Sequence, residues 1–178
     1  MTLTQILSQF FDLRSFSSLW YWLSLAAIWS MAAHWGLGVP YDQVRRAGRR
    51  GGAVAEDLHE LVRLNVARIL WLVGGHEVAL TALGSFMLSS LVVIGFGFGI
   101  EFFQAVALIL VPLSVVGALS LVRARQIAAL IAAGRSSPDE VIRQLRRHRL
   151  YVRLIGTLAL LVTGFWGMLQ NIEMSVLN

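Results

Sequence analysis

The chain has 178 residues, of which 57% are hydrophobic and 14% charged, about half the charged share usual in a soluble domain. Fifteen arginines, no lysine and ten acids give a net charge of +5, and there is no cysteine. This composition argues against a soluble monomer. It excludes a disulfide framework, a zinc ribbon and an iron–sulfur cluster held by the thiolates of this chain alone.

Residues 2–12 open with apolar side chains at Leu3, Ile6, Leu7 and Phe10, one face of a helix, and Thr4, Gln5, Ser8 and Gln9 on the other. That pattern predicts an interfacial helix lying flat on a membrane surface. Four windows without Asp, Glu or Arg follow: 27 residues between Arg14 and Asp42, 23 from Val78 to Ile100, 21 from Phe102 to Val122 and 19 from Leu154 to Ile172. A bilayer-spanning helix needs about 20 apolar residues. The predicted spans are residues 16–38, 78–99, 102–122 and 154–172. The first reads as an anchor rather than a cleavable signal, because no basic region precedes it. Trp20, Tyr21 and Trp22 near its outer end and Trp35 near its inner end suit interfacial belts. A single charge, Glu101, separates the second and third spans. A tight helical hairpin with a glycine-rich turn near Gly97, Phe98 and Gly99 is expected there.

Between the spans lie two basic segments, residues 41–77 with six arginines and residues 123–153 with eight. Basic residues flanking spans stay cytoplasmic. Both segments then face the cytoplasm, and both termini and Glu101 lie outside, in the periplasm. The inner segments read as helical too. Leu58, Leu61, Val62, Val66, Ile69 and Val73 form one apolar arc opposite Glu56, Asp57, Glu60 and Arg63, which predicts an amphipathic helix over 53–73 ended by Gly74 and Gly75. The third span is expected to run on to about residue 133, with Gly134 as its C-terminal cap. Ser137, Pro138 and Glu140 have the spacing of a capping box, and the helix they start continues over 138–172 through the fourth span.

Among polar constellations, Arg45, Arg46, Arg49 and Arg50, with Arg143, Arg146, Arg147, Arg149 and Arg153, sit beside the predicted inner boundary. Anionic lipid contact and topology account for them; docking of an acidic protein is the alternative. Nucleic acid is not expected, since no stacking aromatics are interleaved among the arginines. His148 shares a helical face with Val141, Leu145 and Val152 and is predicted to point inward, as a buried hydrogen-bonding group, a metal ligand or a pH sensor. Asn65 lies on the apolar arc and is expected to contact another helix. His34 and His76, at similar depth, are weak candidates for the axial ligands of a haem. Gly95 and Gly99 form GxxxG and predict close helix packing, within the chain or with a second copy. Pro112 predicts a kink in the third span. No span carries an ionisable residue at its centre, which counts against ion-coupled transport. No catalytic motif is present, and neither an enzymatic role nor a cofactor is expected.

Several stretches carry a resemblance: Asp12-Leu13-Arg14-Ser15-Phe16-Ser17 with Leu19-Trp20, His34-Trp35 to Val39-Pro40, Glu56-Asp57-Leu58, Arg63-Leu64-Asn65-Val66, Arg147-His148-Arg149 and Gly167-Met168-Leu169-Gln170-Asn171. Together they resemble a small bacterial membrane-protein family described as a component of the SufBCD complex. The resemblance implies association with an iron–sulfur assembly complex docking on the cytoplasmic face, and it brings no catalytic residues. The expectation is an all-α integral membrane four-helix bundle with cytoplasmic helical extensions and an N-terminal interfacial helix. As a single membrane domain in the bacterial inner membrane, it is expected to act as a non-catalytic accessory, assembly or scaffold subunit with lipid and a protein partner, or a homo-oligomer. A small transporter or channel component is the alternative, and a haem-binding redox subunit the third reading.

Overall fold

A computed structural model describes Phe16 and residues 18–176, with side chains described as far as residue 172. The interfacial helix expected over residues 2–12 lies outside the described residues. Six α-helices account for nearly all of the rest: α1 (Leu19–His34), α2 (Tyr41–Arg50), α3 (Gly52–Val73), α4 (Glu77–Val92), α5 (Glu101–Ala132) and α6 (Pro138–Val176). Two short strands, β1 (Trp35–Gly36) and β2 (Val39–Pro40), form an antiparallel hairpin after α1.

That hairpin corrects the expected first span, because the helix stops at His34 instead of continuing to residue 38. Leu37 (φ 53°) and Gly38 (φ 76°) both adopt left-handed backbone, the requirement of a two-residue type I′ turn. Left-handed backbone is costly for leucine, but its side chain is 4% exposed and packs into the core, which offsets the strain. Although α1 has only 16 residues, it runs antiparallel to the middle of α6. A Cβ at Gly167 would sit 3.3 Å from Trp22, one at Gly156 would sit 2.7 Å from the Trp29 ring, and Arg149 bonds the carbonyl of Ala33. From Arg149 to Gly167 the rise is about 27 Å at 1.5 Å per residue.

Three described helices are long and apolar enough to cross a membrane: Glu77–Gly97, Glu101–Ala132 and the stretch of α6 to Ile172. No residue of α4 is buried; Val78 is 84% and Phe86 69% exposed. Apolar surface on that scale is stable only against an apolar medium or another apolar face. α4 packs mainly on α5 and continues as a π-helical turn over Val93–Gly97.

Two buried clusters divide the bundle by depth. One joins α2, α3 and the hairpin to the extensions of α5 and α6 through Val44, Ala47, Leu58, Val62, Val66, Ile127, Val141 and Leu145. The other joins α1, α5 and α6 around Leu25, Trp29, Val116 and Val152. Val62 and Ile127 are both 0% exposed, and each such side chain is worth roughly 2 kcal/mol of apolar burial. The basic end of the molecule is therefore a folded body with its own core. α2 was not anticipated as a separate helix. Its ten residues bury only Val44 and Ala47, and Gly51 (φ 62°) with Gly52 (φ 51°), the first residue of α3, turns the chain between the two helices.

The helix ends obey local chemistry. At the end of α5, Gly134 is left-handed at φ 64°, with its N–H bonded to Ile131 O and the next N–H to Leu130 O, both at 3.0 Å; this is a Schellman motif. At the start of α6, Ser137 Oγ accepts the Glu140 N–H at 3.2 Å. Only that half of the capping box forms, since the Glu140 carboxylate turns to Arg143 and Gln144.

Candidate functional site

The basic end gathers nearly all the arginines nominated from sequence. Arg45, Arg46, Arg49 and Arg50 are exposed on α2, and with Asp42 they line a surface hollow of about 460 Å³. Arg49 and Arg50 fall in the last turn of α2 and Asp42 in its first, each placed where the helix dipole favours its charge. On α6, Arg143 pairs with Glu140, and Arg146 lies against Gly48 of α2, where any larger residue would collide with its guanidinium. Arg147 and Arg153 are exposed. Of the nine nominated arginines, Arg143 alone has a carboxylate within ion-pair distance among the described residues. The Arg143 hydrogen bond in turn holds the Glu140 carboxyl below its usual range.

Arg149 differs from its neighbours. Its Nε donates to Ala33 O at 3.1 Å, and its guanidinium carbon sits 3.3 Å from the centroid of the Tyr41 ring. It caps the last turn of α1 and stacks on an aromatic face, tying α1, α2 and α6 together.

His148 points inward and is 2% exposed. Ser120 Oγ bonds both Val116 O (2.8 Å) and His148 Nε2 (3.3 Å). A hydroxyl has one proton to donate; with that proton on Val116 O, Nε2 is the donor and Nδ1 the bare acceptor. Nδ1 has no hydrogen-bond partner among the described residues. The cavity beside this ring holds about 10 Å³, no more than a single water needs, so nothing the size of a substrate or haem fits there. Burial, and after it the nearby charge of Arg123, lower the His148 pKa from its usual 6.5. Arg123 donates to Gln126 at 3.0 Å and Gln144 at 2.5 Å.

Other nominated residues fall elsewhere than expected. Asn65 bonds the turn carbonyl of Gly38 at 3.2 Å, so its partner is the hairpin and not a second helix. His34 packs edge-on against Trp35 at 6.0 Å, whereas His76 is the exposed N-cap residue of α4. α1 packs on α6 and α4 on α5; the fold does not pair these two histidines across a shared interface. No group of three or more His, Asp or Glu able to hold a metal occurs among the described residues.

Gly95 and Gly99 do not act as a pair. Gly95 is buried in the π turn, where a Cβ would lie 2.7 Å from the Gln104 backbone N. Gly99 is outside any helix at φ 71° with nothing within 4 Å; it is a turn residue, because the helix has already ended at Gly97. Gln104, not nominated from sequence, organises this end. It is 4% exposed, its Nε2 donates to Gly95 O and its Oε1 accepts from Trp166 Nε1, both at 3.0 Å. A lone amide inside an apolar window was the signal that could have found it. Nearby, Glu101 Oε1 accepts the Phe16 N–H at 2.7 Å, Trp22 Nε1 donates to Phe16 O at 2.9 Å and Tyr21 donates to Ala105 O at 3.2 Å. Tyr21 and Trp22 thus direct their polar atoms into the bundle, while Trp20, 77% exposed, faces outward.

Comparison with known proteins finds no matching family model, no similar curated protein and no similar solved structure. Geometry and charge are therefore what point to function.

Proposed function

We propose that this chain is a four-span protein of the bacterial cytoplasmic membrane, acting as a non-catalytic accessory, assembly or scaffold subunit. Its basic end faces the cytoplasm and contacts anionic lipid and an acidic protein partner. The observation that carries this reading is the basic end itself: a folded body with its own core, on which Arg45, Arg46, Arg49, Arg50, Arg147 and Arg153 are exposed without a carboxylate partner among the described residues. A charged face kept rigid by its own core is suited to recognising an oppositely charged surface. Counting α1 as a span is supported by its packing along the charge-free stretch of α6, where Trp29 meets Gly156 and Trp22 meets Gly167. The resemblance of the sequence makes an iron–sulfur assembly complex one candidate for the partner. Against a transporter stands Gln104, whose amide is occupied by Gly95 and Trp166 rather than open to a pathway.

Native mass spectrometry of the full chain, extracted in mild detergent at low salt, tests this. A stoichiometric acidic partner that dissociates on raising salt, and on changing Arg45, Arg46, Arg49 and Arg50 to glutamate, is the expected result. A chain carrying neither partner nor anionic lipid at low salt would overturn it.

A further inference from the structure

Between the C-terminal end of α1 and α6 runs a groove of about 380 Å³ lined by Ser30, His34, Trp35, Arg149 and Arg153 together with Met31 and Ala33, and by no carboxylate. Arg149 and Arg153 are four residues apart on α6 and so project from the same face. Two like charges at that spacing disfavour each other, and neither has an acidic partner among the described residues. Arg149 is held in place by Tyr41 and the Ala33 carbonyl through its Nε, which leaves four of its five N–H donors for a ligand. The floor and one edge are apolar: Met31 is 59% and Trp35 55% exposed. On α6 the next residue after Arg153 is Leu154, 57% exposed, where the charge-free apolar stretch begins.

From this arrangement we infer that the groove binds the phosphate of an anionic phospholipid. Arg149 is the fixed donor, Arg153 closes from the exposed side, and Ser30 and His34 supply further polar contacts. The acyl chains descend over Met31 and Leu154. Guanidinium groups suit phosphate because their planar N–H pairs match its oxygens, and basic pockets between spans at the headgroup level are where such lipids are held. The site deepens the proposed function and rests on its placing of the basic end at the membrane surface.

Trp35 provides the probe. The full chain is reconstituted in phosphatidylcholine vesicles containing increasing brominated phosphatidylglycerol or, in parallel, brominated phosphatidylcholine, and the Trp35 signal is isolated by subtracting that of Trp35→Phe. Quenching of Trp35 is expected at a much lower fraction of the anionic lipid. Arg153→Gln, which removes an exposed side chain with no hydrogen bond among the described residues, should reduce that preference about fivefold; Arg149→Gln should do at least as much but also loosens α1. Equal quenching by both lipids, with Arg153→Gln without effect, would overturn the site. Loss of the preference on adding millimolar inorganic phosphate would also overturn it, by showing a free-phosphate site. If the preference survives Arg153→Gln and disappears when Arg45, Arg46, Arg49 and Arg50 become glutamine, this groove falls while the basic face stands. If no variant and no lipid alters any tryptophan, both readings fall.

Discussion

Replacing Gly95 by alanine is the sharpest perturbation of the fold, because the added Cβ meets backbone that cannot swing aside. It would lie 2.7 Å from Gln104 N, 2.9 Å from Phe103 C and 3.1 Å from Gln104 Cα. Overpacking typically costs about 1–3 kcal/mol. Separating the two backbones also stretches the Gln104–Gly95 hydrogen bond, 3.0 Å long and buried, worth about 1 kcal/mol net. Gly95→Ala should therefore lose about 2–4 kcal/mol. Gly84→Ala is the matched control: it too is a glycine of the Glu77–Gly97 helix, but its Cβ would meet nothing within 4 Å. Alanine there should be neutral or stabilise by up to about 1 kcal/mol. The assay is unfolding in mixed micelles titrated with SDS, followed by far-ultraviolet circular dichroism. In a Gln104→Ala background the cost of Gly95→Ala should shrink, since the two residues share one contact. Equal midpoints for Gly95→Ala and Gly84→Ala would refute the close approach of the π turn to α5.

Two further predictions use the same unfolding assay. His148 has a folded pKa below its usual 6.5, so the unfolded chain takes up the proton first as pH falls. Stability is fully present above that value and declines below it until the folded protein is protonated as well; His148→Gln should flatten this decline below 6.5, and a wild-type slope persisting in the variant would count against a neutral, buried imidazole. Ser137→Ala removes the acceptor of the Glu140 N–H and should cost about 1 kcal/mol, with Ser137→Asp restoring most of it; an unchanged midpoint would mean that the cap contributes nothing.

Much of the helical layout was legible in the sequence, for physical reasons that differ from place to place. Charge-free windows announced α4, α5 and the later part of α6, since charges inside such helices are expensive. Gly134, Ser137 and Pro138 marked the α5–α6 connection because caps are local chemistry. The hairpin at Trp35–Pro40 was hidden: its turn uses Leu37 in left-handed backbone, paid for by burial in a core that no local pattern reveals. α2 was hidden as well, since eight of its ten residues are not buried and its stability comes from docking Val44 and Ala47. Within the basic site, the clustering of arginines was evident from spacing, but the distinct place of Arg149 depends on Ala33 and Tyr41, more than a hundred residues away. Gln104 escaped notice because charges, not amides, defined the windows.

The central claim, that the basic end lies in the cytoplasm and the α4–α5 turn on the opposite side, is tested most directly by cysteine accessibility in a chain with no native cysteine. Phe98, 74% exposed in the turn, and Asp139, exposed at the start of α6, are each changed to cysteine and treated in intact bacterial cells with a membrane-impermeant thiol reagent. The account predicts that Phe98→Cys is labelled and that Asp139→Cys is labelled only after the cells are opened. Labelling of Asp139→Cys in intact cells with protection of Phe98→Cys would contradict it.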